Sequence, residues 1–307
     1  MRFANIQRFF CGLGERSHRA AREESMRLLR FGPKGAEKPG LLDAEGRIRD
    51  LSGNINDITP DVLARDRLRR LASLDPSSLP RVEGNPRLGC PLAYVPNLVC
   101  IGLNYADHAR ETNSPIPEEP IVFMKHTGSI IGPNDQVRLP RGATKGDWEV
   151  ELGVVIGTRA AYVDEADAMD HVAGYCIVND VSERDYQRHG GGGQWIKGKS
   201  PETFAPIGPW LVTKDEIPDP QNLALWCEVD GRRFQDGSTR TMIFGVAHLV
   251  SHLSRYMTLL PGDVISTGTP PGVGMGVKPQ PVFLKPGNVM RLGIEGLGEQ
   301  RQEVAAG

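Results

Sequence analysis

Glu149 and Glu151 stand one residue apart in GDWEVELGVVIG, residues 146–157, inside a run that otherwise reads as a buried apolar strand. Successive side chains on a strand face opposite ways, so the two carboxylates share one face while Val150, Leu152 and Val154 pack on the other. Carboxylates about 7 Å apart along one strand face repel each other, and a hard divalent cation between them reverses the balance. A third oxygen ligand is at hand in GYCIVNDVSERD, residues 174–185, where an apolar strand ends in Asn179-Asp180 and a polar side chain can project from the strand end. Glu149, Glu151 and Asp180, with no cysteine nearby, form an oxygen-rich set suited to octahedral Mg2+ or Mn2+, with remaining positions for water or substrate; zinc fits less well. By spacing alone, a lone ExE is more often the solvated face of a one-sided antiparallel sheet.

The elements that must hold these groups are mostly strands. Beyond Leu98, short β-rich runs (Leu98 to Leu103, Trp148 to Ile156, Ala173 to Val178, Leu223 to Val229, Val264 to Ser266, Val289 to Ile294) alternate with long Gly/Pro loops. Helices are few, the clearest at about Asp164 to Val172 and Phe244 to Met257. This pattern predicts a mixed, β-dominated α+β fold rather than a doubly wound sheet. Ahead of it, residues 26–86 form a small N-terminal lobe: short strands over Met26 to Leu51, with DAEG as a hairpin turn, then a helix over 58–74 behind a Thr-Pro start. A Pro-rich stretch, residues 75–97, links the lobe to a catalytic domain at 97–307. Residues 1–25 are arginine-rich but lack a continuous apolar segment and carry an acidic EE, so they read as a poorly ordered extension rather than a targeting sequence.

A formal charge of −2, from 36 basic and 38 acidic residues, gives no field to recruit nucleic acid or an anionic membrane, so a small molecule is the expected partner. No apolar run approaches the roughly 20 residues of a membrane helix. Five scattered cysteines without a CxxC suit reduced thiols and a cytoplasmic location. The glycine run at 190–193 lacks the GK[ST] of a phosphate loop, and His248 and His252 sit in HLVSH rather than HExxH, so both read as structural or surface features.

The acidic set, IGLNYADHARE, IVNDVSERDYQ, KGKSPETFAPIGPWLV and PGDVISTGTPPGVG together resemble the fumarylacetoacetate hydrolase superfamily, in the family's order, from about Leu98 to the C-terminus. GGGQWIKGKSPETFAPIGPWLVTKDEIPDPQNL and GSTRTMIFGVAHLVS are similar to the branch of 2,4-diketo-3-deoxy-L-fuconate and L-rhamnonate hydrolases, often named ureidoglycolate lyases. The resemblance implies a β-sandwich roll with Mg2+ or Mn2+ on Glu149, Glu151 and Asp180, usually in a homodimer. It also implies a catalytic dyad of His108 and Glu111, which stand i, i+3 on a short helical turn and can hydrogen-bond. Lys199 would stabilise an enolate, Arg184 and Gln187 would contact the substrate, and Thr269 lies in a loop that would close over its carboxylate. Arg188 to Trp195 would be a mobile loop near the site. Asn104 stands where true fumarylacetoacetases carry a fourth carboxylate, which argues against fumarylacetoacetate as substrate.

The expected reaction is hydrolysis of a C–C bond in a 2,4-diketo acid, releasing pyruvate and a small hydroxy acid. Decarboxylation of an oxaloacetate-like acid, keto–enol isomerisation, dehydration of a 3-deoxy-2-keto acid and a ureidoglycolate lyase reaction would use the same groups. A non-catalytic protein that binds metal and keto acid is the alternative from another class.

Overall fold

The computed structural model describes residues 26–111, 114–189 and 193–307. The N-terminal extension, residues 112–113 and residues 190–192, the first three glycines of the expected mobile loop, lie outside the described residues.

The Val150–Ile156 strand organises the rest, and all seven of its residues are buried. Val150, Leu152, Val154 and Ile156 enter one apolar core and Val155 another, so the strand has no solvated face along this length. The large sheet runs, edge to edge, through Ile48–Asp50, Lys38–Leu42, Arg27–Phe31, Ala205–Thr213, Val172–Asn179, Val150–Ile156, Val264–Ser266, Leu98–Gly102 and Ile121–Lys125. A second sheet, in the order Arg232–Ser238, Ala224–Val229, Val289–Ile294, Gly298–Ala306 and Val137–Leu139, packs over one face. Leu225, Cys227, Met290 and Leu292 of that sheet meet Val150, Leu152 and Val154 in the first core. The second core joins the opposite face to Val62, Leu63 and Leu71 of the N-terminal lobe. At roughly 1.5–3 kcal/mol per buried Val, Leu or Ile side chain, these two cores are the main source of stability. The architecture is the sheet-dominated α+β sandwich roll that the sequence implies.

The lobe's strands do not stand apart, because Arg27 and Leu28 pair with Val212 and Leu211 and so extend the large sheet. The strand Ala205–Thr213 is missing from the sequence-based set, and its two prolines explain why, since proline argues against a central strand. It is accommodated by a register shift where Tyr175 and Ile177 pair across Val212 and Gly208, which leaves Pro209 outside the ladder.

Two helix expectations are corrected. Asp164 to Val172 holds only a 3-10 turn at Ala168–His171, because Asp164 and Asp167 sit in turns that compete with a helix. The 58–74 helix is split into Pro60–Leu63 and Arg65–Ala72 by Ala64, which is extended at φ −60, ψ 139. The Val246–Tyr256 helix forms as expected, with Val246, Leu249, Val250 and Leu253 buried at i, i+3, i+4 and i+7. On its outer side His248 and His252 stack between Phe244 and Tyr256, with ring centroids 5.3, 5.9 and 5.1 Å apart along the column. Among the described residues no helix is long and apolar enough to cross a membrane, and four cysteines are free thiols.

Candidate active site and metal centre

Strand register decides where the acidic groups meet. Val150 lies opposite Asn179 and Glu151 opposite Val178, so the residue after Asn179 falls beside Glu149, and the Asp180 amide donates to Glu149 O at 2.9 Å. Ligand-capable oxygens of Glu149, Glu151 and Asp180 lie within 4.8 Å of one another. The three residues are only 6%, 2% and 0% exposed, which removes the solvated-face reading of ExE.

Buried carboxylates need compensation, and three cations supply it. Lys199 Nζ donates to Glu149 Oε2 at 2.7 Å and to Asp180 Oδ2 at 2.6 Å. Lys125 Nζ donates to Asp180 Oδ1 at 2.5 Å and to Val181 O at 3.0 Å. Arg184 Nη1 lies 2.7 Å from Glu149 Oε1, while its Nε donates to Asp147 Oδ2 at 2.8 Å. Burial alone would raise the Glu149 carboxyl, but Lys199 and Arg184 outweigh it and hold the group below the usual carboxylate range. Burial works against the Lys199 ammonium too, yet Asp180 and Glu149 keep it firmly protonated.

Glu151 is different. Ser266 Oγ and the Gly268 amide donate to its Oε2 at 2.5 and 2.9 Å, but among the described residues no cation pairs with it. Burial, and then the charges of Asp180 and Glu149, push its carboxyl well above the ordinary value. That is the imbalance a dication relieves, and the donor set is all hard oxygen, so the three carboxylates fit Mg2+ or Mn2+ in chemistry as well as in position.

The second half of the site is a six-residue helix, Ala106–Glu111, that turns His108 toward Glu111. His108 Nδ1 lies 3.0 Å from Glu111 Oε2, the contact that the i, i+3 spacing predicts. The Gly272 amide in turn donates to both Glu111 oxygens, at 3.0 and 3.2 Å. Gly272 has φ +102, and a Cβ there would lie 1.9 Å from Phe234 O, so only glycine brings its amide this close. The same loop serves Asp147, whose oxygens accept from the amides of Gly274 and Met275 at 2.6 and 3.0 Å.

His108, Glu149, Glu151, Arg184, Gln187, Lys199 and Thr269 all line one cleft that opens to solvent. Asp180 and Glu111 stand behind that wall, against Lys199 and His108. Arg184 Nη1 also donates to Gln187 Oε1 at 3.0 Å, and its buried Nη2 has no acceptor among the described residues, so a ligand oxygen is what it lacks. Thr269 reaches the cleft, but its hydroxyl donates to Val150 O at 2.9 Å and accepts from Gln235 Nε2 at 2.7 Å, which commits it to the protein. Asn104 is a brace: its side chain donates to Thr267 O and Phe244 O at 2.7 and 3.0 Å and accepts from the Phe244 amide at 2.8 Å.

Sequence reasoning missed Lys125, Asp147 and Gln235. The signal for Asp147 was present, because it extends the ExE alternation one step further along the same face. Lys125 closes an otherwise apolar strand, Ile121–Lys125, which is a weak signal for a buried ammonium. Nothing local marks Gln235.

The two-sheet roll brings buried carboxylates and the His108–Glu111 pair to one cleft, an arrangement suited to acid–base chemistry on a small molecule. The profile described as "Fumarylacetoacetate (FAA) hydrolase C-terminal" matches residues 97–305, and the chain belongs to that family. It is 64% identical over 277 residues, 90% of this chain and 98% of the relative, to a Burkholderia cenocepacia protein named as a hydrolase without a stated substrate. Among solved structures it is similar to a fumarylacetoacetate hydrolase from Exiguobacterium antarcticum, with a TM-score of 0.82, 36% identity and coverage of 92% and 100% of the two chains. It is also similar to a probable 2-hydroxyhepta-2,4-diene-1,7-dioate isomerase from Mycobacterium abscessus, with a TM-score of 0.79, 31% identity and coverage of 92% and 99%. A maleylpyruvate hydrolase from Sphingobium, solved with manganese(II) and pyruvate, has a TM-score of 0.76, 27% identity and coverage of 92% and 100%.

Proposed function

We propose that this chain is a Mg2+- or Mn2+-dependent hydrolase that cleaves a C–C bond in an acylpyruvate-type 2,4-diketo acid. Within that class we assign it the 2,4-diketo-3-deoxy sugar acids, with pyruvate and a small hydroxy acid as products. The observation that carries the reading is His108, held from behind by Glu111, on the wall of the same cleft as Glu149 and Glu151. The manganese and pyruvate in the maleylpyruvate hydrolase relative support a dication and a 2-oxo acid together.

When bound, a dication supplies Lewis acidity and a template for the carboxylate and 2-oxo group. The chain's own groups do the rest. Glu111, fixed by the Gly272 amide, accepts from Nδ1 of His108 and so makes Nε2 the basic nitrogen. Nε2 is then placed to take a proton from water as a general base. The resulting hydroxide adds to the distal carbonyl carbon, the bond from that carbon to C3 breaks, and its electron pair leaves on the pyruvate enolate. The imidazolium then returns the proton to C3. Lys199, with two N–H bonds spent on Glu149 and Asp180, and Arg184, through Nη2, supply donors to the developing oxyanion.

The test follows the ultraviolet absorbance of a 2,4-diketo acid with Mg2+ present and assays pyruvate separately. Loss of chromophore with stoichiometric pyruvate, abolished by EDTA and by His108→Ala, is the expected result. A spectral change without pyruvate would make the chain an isomerase, carbon dioxide from oxaloacetate a decarboxylase, and tight binding without turnover a binding protein.

A further inference from the structure

The two metal-facing glutamates flank Val150, and the backbone of Val150 is in an unusual position. Its strand pairs with Val264–Ser266 only from Gly153 onward, so beyond Ser266 that neighbour no longer offers a ladder partner to Val150. Side chains take its place. Gln235 Oε1 accepts from the Val150 amide at 3.0 Å, and Thr269 Oγ1 donates to the Val150 carbonyl at 2.9 Å. Gln235 Nε2 then closes the ring by donating to Thr269 Oγ1 at 2.7 Å and to Pro270 O at 2.9 Å.

Gln235 comes from the second sheet and is fully buried. A register irregularity puts it there: Cys227 pairs with Gln235 but the next residue, Glu228, pairs with Arg233, so Phe234 is an extra residue on its strand. Such a bulge re-aims the neighbouring side chain. Phe234 meanwhile packs on Trp148, with ring centroids 4.8 Å apart, and Trp148 Nε1 donates to Gly272 O at 3.1 Å. The bulge therefore touches both halves of the site, the ribbon that bears the glutamates and the loop whose amides hold Glu151, Glu111 and Asp147.

We propose that Gln235 is a positioning residue: with Thr269 as its relay, it locks the peptide between Glu149 and Glu151 and registers the Gly268–Met275 loop on that ribbon, which sets the spacing of the metal-binding carboxylates. Thr269 on this view acts on the ribbon rather than on the substrate. The inference rests on the metal centre proposed above.

The readout is selectivity between two cations, because Mg2+ demands near-ideal octahedral geometry whereas Ca2+ tolerates variable geometry. Isothermal titration of the full chain with Mg2+ and with Ca2+ compares the natural protein with Gln235→Leu, Thr269→Val, Thr269→Ser and Leu41→Ala. Leu41 lies in the second core, away from the cleft, and its truncation controls for a general loss of stability. Gln235→Leu and Thr269→Val are expected to weaken Mg2+ at least tenfold and Ca2+ by threefold or less, while Thr269→Ser and Leu41→Ala stay within threefold of the natural protein for both. Should Gln235→Leu not fold, the Thr269 pair decides alone. Unchanged Mg2+ affinity in Thr269→Val, or equal losses for both cations, would overturn the role given to Gln235. Absence of Mg2+ binding by the natural protein would overturn the metal centre itself.

Discussion

Two clusters in this molecule use the same chemistry and come to opposite ends. Around the cleft, Lys125, Lys199 and Arg184 meet Asp147, Glu149 and Asp180 with side chains no more than 7% exposed. On the outer face of the second sheet, Arg233 and Arg291 flank the Trp226 ring at 4.3 and 5.8 Å and pair with Glu228 and Glu299. There the arginine side chains are 43% and 49% exposed, and water carries much of each charge. Pairing is equally good in both places. Burial is the difference: in the cleft each charge must be answered by the protein or by a bound ion, whereas on the surface the pairs are screened and nearly optional.

That contrast can be broken by substitution, beginning where the effect is largest. Asp180→Ala leaves Lys125 without its carboxylate and Lys199 with only Glu149; a loss of about 3–5 kcal/mol in urea unfolding, together with loss of metal binding by titration, is expected. His108→Ala removes the base but no buried ion pair of the metal centre. Turnover of a diketo acid should fall by about 10²–10⁴-fold while metal affinity holds within twofold, measured by steady-state assay and calorimetry. Metal itself should stabilise the fold, by about 2.7 kcal/mol at a hundredfold excess over its dissociation constant, so EDTA should lower the melting temperature of the natural protein but not of Glu151→Ala. At the small end, Arg291→Ala should change stability by no more than about 1 kcal/mol, with the difference shrinking in high salt.

The same contrast separates what the sequence makes legible from what it hides. Glu149 and Glu151 are readable because a period of two inside an apolar run is itself anomalous, and Asp180 because it ends another such run. His108 and Glu111 are readable only through the family motif that contains them, with the i, i+3 spacing adding that the two can hydrogen-bond. Their partners are not. Lys125 lies far from Asp180 in the chain, and only the arrangement of the large sheet brings the two together. Gln235 depends on a one-residue bulge that has no compositional mark, and nothing local shows that the Thr269 hydroxyl is bonded to Gln235 and to the Val150 carbonyl. Local pattern gives strands and turns; long-range register decides which polar groups share a cavity. The two helix errors have local causes, turn-forming aspartates near Asp164 and an extended Ala64, both easily masked by good helical spacing.

The loop that fixes Glu151, Glu111 and Asp147 does so through peptide N–H groups of Gly268, Gly272, Gly274 and Met275. Its one large side chain on the cleft wall, Met275, is therefore decoupled from that task. Exchange of Met275 would reshape the cleft wall while leaving the peptide groups that hold Glu151, Glu111 and Asp147 in place.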